Sequence, residues 1–200
     1  MTEAEKSLTA GDPRAGEVLR FWFGGGESSG GRRKHWFAKD EVFDALIRSR
    51  FMALHEQAAA GALAGWKDDA RSCLALIVLL DQFSRNMFRA SARAFAADAQ
   101  ALEAARHAVA RGYDAGMRPV ERMFVYLPFE HSEALADQQR SCELMQTLDA
   151  FAETDDVYRY ALRHSEIIER FGRFPHRNAV LGRASTAQES EFLKQPGSGF

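Results

Sequence analysis

The sequence predicts an all-α fold, with about eight helices in stacked antiparallel hairpins of a tetratricopeptide-like kind. Three observations lead there. No segment sustains the apolar–polar alternation of a half-buried strand. Apolar residues recur instead at three- and four-residue spacings. Helix start and stop signals divide these runs at short intervals, and short connections imply antiparallel neighbours.

Asp12-Pro13 reads as an N-cap with proline at the first helical position. The helix it opens carries Val18, Leu19, Phe21, Trp22 and Phe23 and stops at Gly24-Gly25-Gly26. Residues 24–34, GGGESSGGRRK, predict a flexible loop and lack the GK[ST] ending of a phosphate-binding loop. Asp40 caps a second helix with Phe43, Ile47, Phe51, Leu54 and Ala58 on its apolar face. Asp68 or Asp69 caps a third, running to about Arg89, whose first half is apolar all round and therefore central. Ser91 caps a fourth, with Phe95, Ala99, Leu102, Ala105 and Val109 facing inward and Gly112 at its end. Pro119 opens a fifth segment that meets Pro128, where a kink or break is expected. A sixth helix holds Leu144, Met145, Leu148 and Phe151. Thr154 caps a seventh, striped by Val157, Ala161, His164, Ile168 and Phe171 and stopped by Gly172. Thr186 to Glu189 is a capping box for a short last helix.

Two hundred residues suit one domain, with a core over 13–194 and a loose tail over 195–200. A net charge of −2 gives no basic field for nucleic acid or an anionic membrane surface. The longest apolar run, Cys73 to Leu80, is far short of the roughly 20 residues of a membrane span. The opening MTEAEKSLTA has no apolar signal segment, so a cytoplasmic location is expected. Cys73 and Cys142 lack metal or disulfide spacing and read as small core residues. The sequence leaves any cofactor unidentified.

The segments Phe21-Trp22-Phe23-Gly24, LLDQFSRNMFR (79–89), YLPFEHSE (126–133) and FGRFPHRNAVLGR (171–183) resemble the domain-of-unknown-function 924 family. Their order and spacing agree from about residue 16 to residue 193. The resemblance implies an all-α, tetratricopeptide-like fold and no established activity. The chain departs from the family at Ser84, where proline is common; a serine there eases helix continuity.

Several ionisable residues sit where a purely structural helix would place apolar ones. Asp81, Arg85 and Arg89 lie at i, i+4 and i+8 and continue the phase of Leu74 and Val78. They read either as a register-fixing ion pair or as arginines with a face to spare for a carboxylate or phosphate. Gln82 and Asn86 run parallel one residue along. Arg122, Tyr126 and Glu130 form a second row. Glu130 and Glu133 share a face, while His131 points about 100° away from its sequence neighbour. His164 falls within an apolar stripe, as a core histidine satisfied by a carboxylate such as Asp81 or Glu130, or as a general base. Arg173, His176, Arg177 and Asn178 crowd a Gly/Pro-shaped loop, as cations capping the preceding helix or as an anion clamp.

A metal site from Glu130, Glu133 and His164 is conceivable, but no second Glu-x-x-His, HExxH or Cys/His finger supports it. Two functions follow. One is a small anionic ligand bound, or bound and turned over, in an internal cleft lined by Asp81, Arg85, Arg89, Glu130, His131, His164, Arg173, His176 and Arg177. The other is a protein-interaction scaffold in which the internal polar rows are structural.

Overall fold

The computed structural model describes residues 12–25 and 33–199. The opening segment and most of the glycine-rich loop expected at 24–34 lie outside these residues. Among the described residues there is no strand, and eight helices pack against one another. They are α1 (Pro13–Phe23), α2 (Glu41–Ala59), α3, α4 (Asp98–Ala110), α5 (Pro119–Glu130), α6 (Leu135–Gln146), α7 (Val157–Phe171) and α8 (Ala187–Phe192). Helix α3 is composite: α-helical over Ala70–Ile77, π-helical over Val78–Phe83 and α-helical again over Ser84–Met87.

The helices begin where short polar side chains can accept from orphan N–H groups. Asp12 accepts from Arg14 N at 2.9 Å, Asp40 from Val42 N at 3.0 Å, and Asp69 rather than Asp68 from Ser72 N at 2.9 Å. Gly24, Gly112 and Gly172 sit at positive φ just beyond α1, α4 and α7, a conformation that costs glycine nothing. Thr186 and Glu189 form their capping box.

Three boundaries differ from the sequence expectation. Ser91 caps only a 3-10 turn, Ala92–Phe95, and α4 starts at Asp98. Thr154 likewise belongs to a 3-10 turn, and its hydroxyl donates to Leu148 O at 2.9 Å instead of capping α7. Pro128 causes no break, because α5 runs through it to Glu130. It lies in the last turn, where little helix remains to be disturbed.

Helix α3 runs through the centre, buried on every side from Ser72 to Ser84. Phe83 anchors its middle against Phe21, Trp22 and Phe51, with ring centroids 5.9, 5.5 and 4.9 Å away. On its other side α4 presents Ala101, Ala104, Ala105 and Ala108. These small residues recur at i, i+3, i+4 and i+7 and let the two backbones approach. Cys73 Sγ lies 3.6 Å from Ala104 O, and neither cysteine is bridged. Of the expected stripe only Ala105 is fully buried; Phe95, Leu102 and Val109 are half-buried against the core, and Ala99 is exposed. Large side chains misled there, since this interface is built from small ones. Helix α2 also buries an unexpected set. Asp44 and His55 join Ile47, Phe51 and Ala58, while Phe43 and Leu54 are only half-buried.

The alanine face gives a direct test. Ala101→Leu should cost about 1–3 kcal/mol by overpacking the α3–α4 contact, whereas Ala99→Leu should stay within about 0.5 kcal/mol of the parent. Urea unfolding monitored by circular dichroism measures both. Equal effects would contradict this placement of α4.

Candidate functional site

The π-helical turn of α3 widens the backbone at the point where the polar residues begin. Two carbonyls in it accept side-chain donors: Leu80 O from Ser84 Oγ at 2.6 Å and Asp81 O from Arg85 Nη1 at 3.1 Å. Ser84 is thereby engaged on both sides, with His55 Nε2 2.7 Å from its hydroxyl.

Asp81 is 1 % exposed. Its Oδ1 accepts from Arg85 Nη1 at 2.9 Å and from His131 Nδ1 at 2.7 Å, and its Oδ2 from Gln82 Nε2 at 2.6 Å. Burial pushes the carboxyl pKa up, but Arg85, His131 and Gln82 together hold it well below the usual carboxylate range. His131 is pulled below its ordinary value by burial and then by Arg85, against the opposing pull of Asp81.

Glu130 follows the opposite course. It is buried at the end of α5, with Oε1 3.1 Å from His164 Nδ1. Burial, with Asp81 nearby, pushes its pKa up to about 8. His164 Nδ1 also lies 2.8 Å from Tyr160 O, so that nitrogen carries the hydrogen and donates. Burial takes His164 down to about 3 despite the Tyr160 bond. The site thus holds one ionised carboxylate, one neutral carboxylic acid and neutral imidazoles.

These groups border a cavity of about 570 Å³. Arg85, Arg89, Glu130, His131, His164, His176 and Arg177 all line it. Asp81 stands directly behind His131 and Arg85. Glu130 and His131, adjacent in sequence, both reach the cavity, because His131 is the C-cap beyond the last helical residue. Trp36, Phe37, Met123, Leu127 and Met145 add an apolar wall. Residues 193–199 turn back to this face, where Arg163 Nη2 donates to Gly197 O and Gly199 meets the cavity.

The arginines are employed unequally. Arg85 is bound by Asp81 and, at 2.9 Å, by Asp98. Arg89 departs from the expected row and pairs with Asp44 at 2.5 Å, since the helix, expected to reach about Arg89, ends at Met87 and leaves Arg89 in the following turn. Arg177 is 6 % exposed, with its guanidinium carbon 4.7 Å from the Phe95 ring centre and 4.4 Å from that of Phe174. Its Nη1 donates to His131 O at 3.0 Å and lies 3.4 Å from Asp98 Oδ2. Its Nε is buried without a hydrogen-bond partner. Burial, reinforced by Arg85, lowers its pKa to about 10.

Arg173 does not reach the cavity. It is held by Glu189 at 2.7 Å and by Ala184 O, tying the loop to the start of α8. Only half of the expected loop clamp, His176 and Arg177, turns inward. Burial and then Arg177 bring His176 down to about 4. Glu133 accepts from Arg183 at 2.7 Å and from Phe174 N at 2.8 Å, so it does not gather with Glu130 and His164. Among the described residues, no three His, Cys, Asp or Glu side chains are grouped to hold a metal ion. Tyr126 donates to Asp114 at 2.6 Å and Arg122 contacts Thr147, away from the cavity.

Sequence reading missed Asp98 and Asp44, the counter-ions of Arg85 and Arg89. Asp98 opens α4, which was expected to start six residues earlier. Asp44 lies three and seven residues before Ile47 and Phe51, the same core-phase signal that picked out Asp81.

The family described as "Bacterial protein of unknown function (DUF924)" matches residues 18–197. The chain belongs to this family. It is also similar to the solved structure of the protein of unknown function ATU0120 from Agrobacterium tumefaciens, at 41% identity and a TM-score of 0.82, covering 91% of this chain and 97% of that one. No curated protein matches the chain. The family and the similar structure therefore establish the fold and leave the activity open. Among the described residues, no helix is long and apolar enough to cross a membrane.

The protonation pattern is measurable through stability. Glu130 has a folded pKa above its unfolded value, so its proton favours folding below about pH 4.5 and that contribution fades as pH rises toward 8. Unfolding free energies of wild type and Glu130→Gln should therefore diverge between pH 5 and pH 8. The variant should gain by up to about 1.4 kcal/mol per pH unit. A constant difference across that range would mean that Glu130 ionises normally.

Proposed function

We propose that this protein binds a small anionic organic molecule, a carboxylate or phosphate ester, in the cavity between α3, α5 and α7. One observation carries the reading. Arg177 is a buried cation on the cavity wall whose guanidinium is hydrogen-bonded through Nη1 alone. A guanidinium offers five donors in a planar fork that matches carboxylate and phosphate. Leaving most of them unused in a desolvated position is costly. The two flanking rings hold the group in place without occupying its donors, which is the arrangement a bidentate anion site requires.

The surroundings support the same ligand class. Arg85 and Arg89 are already neutralised by aspartates, so they shape the wall and leave the anion to Arg177. Arg163 adds a further cation at the rim. The apolar side formed by Met123, Leu127 and Met145 suits a carbon skeleton of modest size.

A panel of mono- and dicarboxylates, 2-oxo acids and phosphate monoesters, screened by thermal shift and measured by calorimetry, tests the proposal. Wild type should bind at least one class saturably. Arg177→Ala should weaken that binding about 10- to 100-fold, the worth of a charge-assisted contact. Arg173→Ala, outside the cavity, should leave it unchanged. The proposal fails if nothing in the panel binds at millimolar concentration, or if Arg177→Ala binds as well as the parent.

A further inference from the structure

Two carboxyl groups from different helices approach this cavity, and they are held differently. Asp81 receives hydrogen bonds from Arg85, His131 and Gln82. Glu130 lies against His164, with Oε1 3.1 Å from Nδ1, and among the described residues no arginine or lysine pairs with it. Two buried carboxylates in one site do not both ionise, and the better-solvated one takes the charge. The charge therefore rests on Asp81 and the proton on Glu130.

Asp81 also determines what His131 can do. Its Oδ1 lies 2.7 Å from His131 Nδ1, which fixes the hydrogen there and leaves a lone pair on Nε2. The His131 ring lines the cavity and is 14 % exposed. A base oriented by a buried aspartate thus stands beside a carboxylic acid held by a second histidine. Among the described lining residues there is no serine, threonine or cysteine, and the one side-chain hydroxyl is the phenol of Tyr160. Proton transfer is the chemistry this set provides.

We propose that the site enolises a small anionic carbonyl compound, with His131 as the base and Glu130 as the acid at the carbonyl oxygen. This rests on the binding reading above, with Arg177 holding the anionic group. In the step, His131 Nε2 takes the proton from the carbon next to the carbonyl. The C–H electron pair forms the C=C bond, and the carbonyl π pair moves onto oxygen, which takes the Glu130 proton. His131 becomes an imidazolium beside Asp81, and Glu130 becomes a carboxylate. Net charge is unchanged, and no oxidant, reductant or co-reactant is consumed. Returning the proton to the same carbon gives exchange with solvent; where that carbon carries a hydroxyl, returning it to the former carbonyl carbon, while the hydroxyl gives its proton to the Glu130 carboxylate and becomes the new carbonyl, gives isomerisation. Asp81 and His164 are positioning residues, because they act through His131 and Glu130.

The test uses the full chain in deuterated buffer with pyruvate, 2-oxobutyrate, oxaloacetate, acetoacetate and dihydroxyacetone phosphate as probes. Binding is measured by calorimetry, and loss of the C–H signal next to the carbonyl by proton NMR. Wild type should accelerate exchange of at least one bound probe over the protein-free rate. His131→Gln and Glu130→Gln should each lower that acceleration about 100-fold or more, while binding the probe within a few-fold of wild type. Should His131→Gln fail to fold, the near-isosteric Glu130→Gln decides alone. Binding without exchange in wild type overturns the enolisation proposal and leaves the binding reading intact. Exchange that survives both substitutions overturns it as well. Failure of every probe to bind, while carboxylates or phosphate esters lacking a carbonyl do bind, overturns the carbonyl substrate class; failure of all anions removes the binding reading too.

Discussion

The site depends on one buried charge, the carboxylate of Asp81. An ion at 1 % exposure is tolerated only when its lone pairs are occupied by well-placed donors. Asp81 draws those donors from its own helix, through Arg85 and Gln82, and from the end of α5, through His131. The requirement fixes the relative setting of α3 and α5, the ring orientation of His131 and the side-chain path of Arg85. It also reaches Glu130, whose pKa is raised by burial first and then by the negative charge that Asp81 holds nearby.

The remaining charges follow from the same arrangement. Arg85 bridges Asp81 and Asp98, so the start of α4 joins the network. Arg177 arrives from the loop after α7 and shares Asp98 only at 3.4 Å, because Arg85 already occupies it more closely. Its aromatic neighbours supply contact in place of counter-charge. Burial, and then Arg85, therefore lower the pKa of Arg177, while their aspartates raise those of Arg85 and Arg89.

Much of this was legible before any coordinates. Aspartate caps, glycine stops and three-to-four spacing gave the helix order, and a polar residue in core phase was enough to single out Asp81 and His164. The expectation that His164 meets a carboxylate held, with Glu130 the partner. What escaped has physical causes. The π-turn has no distinctive residue signature, and the helix, drawn on to Arg89, ends at Met87, so Arg89 was assigned to the wrong neighbours. The α3–α4 contact is made by alanines, which carry little weight in a pattern dominated by leucine and phenylalanine. Arg173 and Arg177, four residues apart on one loop, differ only in where a 3-10 turn directs them. Loop direction depends on tertiary contacts that local sequence does not encode.

Helix α3 is both the centre of the core and the floor of the cavity, and this bears on why its polar residues are there. Stability alone favours a continuous α-helical ladder and apolar side chains in this position. Replacing a buried ion network with well-packed hydrophobic residues is commonly neutral or stabilising. The chain departs from both preferences at one place, with a π-turn over Val78–Phe83 and a buried carboxylate within it. Either departure alone could be a local accommodation. Together they deliver Asp81 to His131, and through it an oriented imidazole to a cavity that also holds a protonated acid and an under-used arginine. Cost concentrated at the point where groups of complementary chemistry meet is what a site imposes on a fold, and a helix that served only to fill the core would have no reason to bear it.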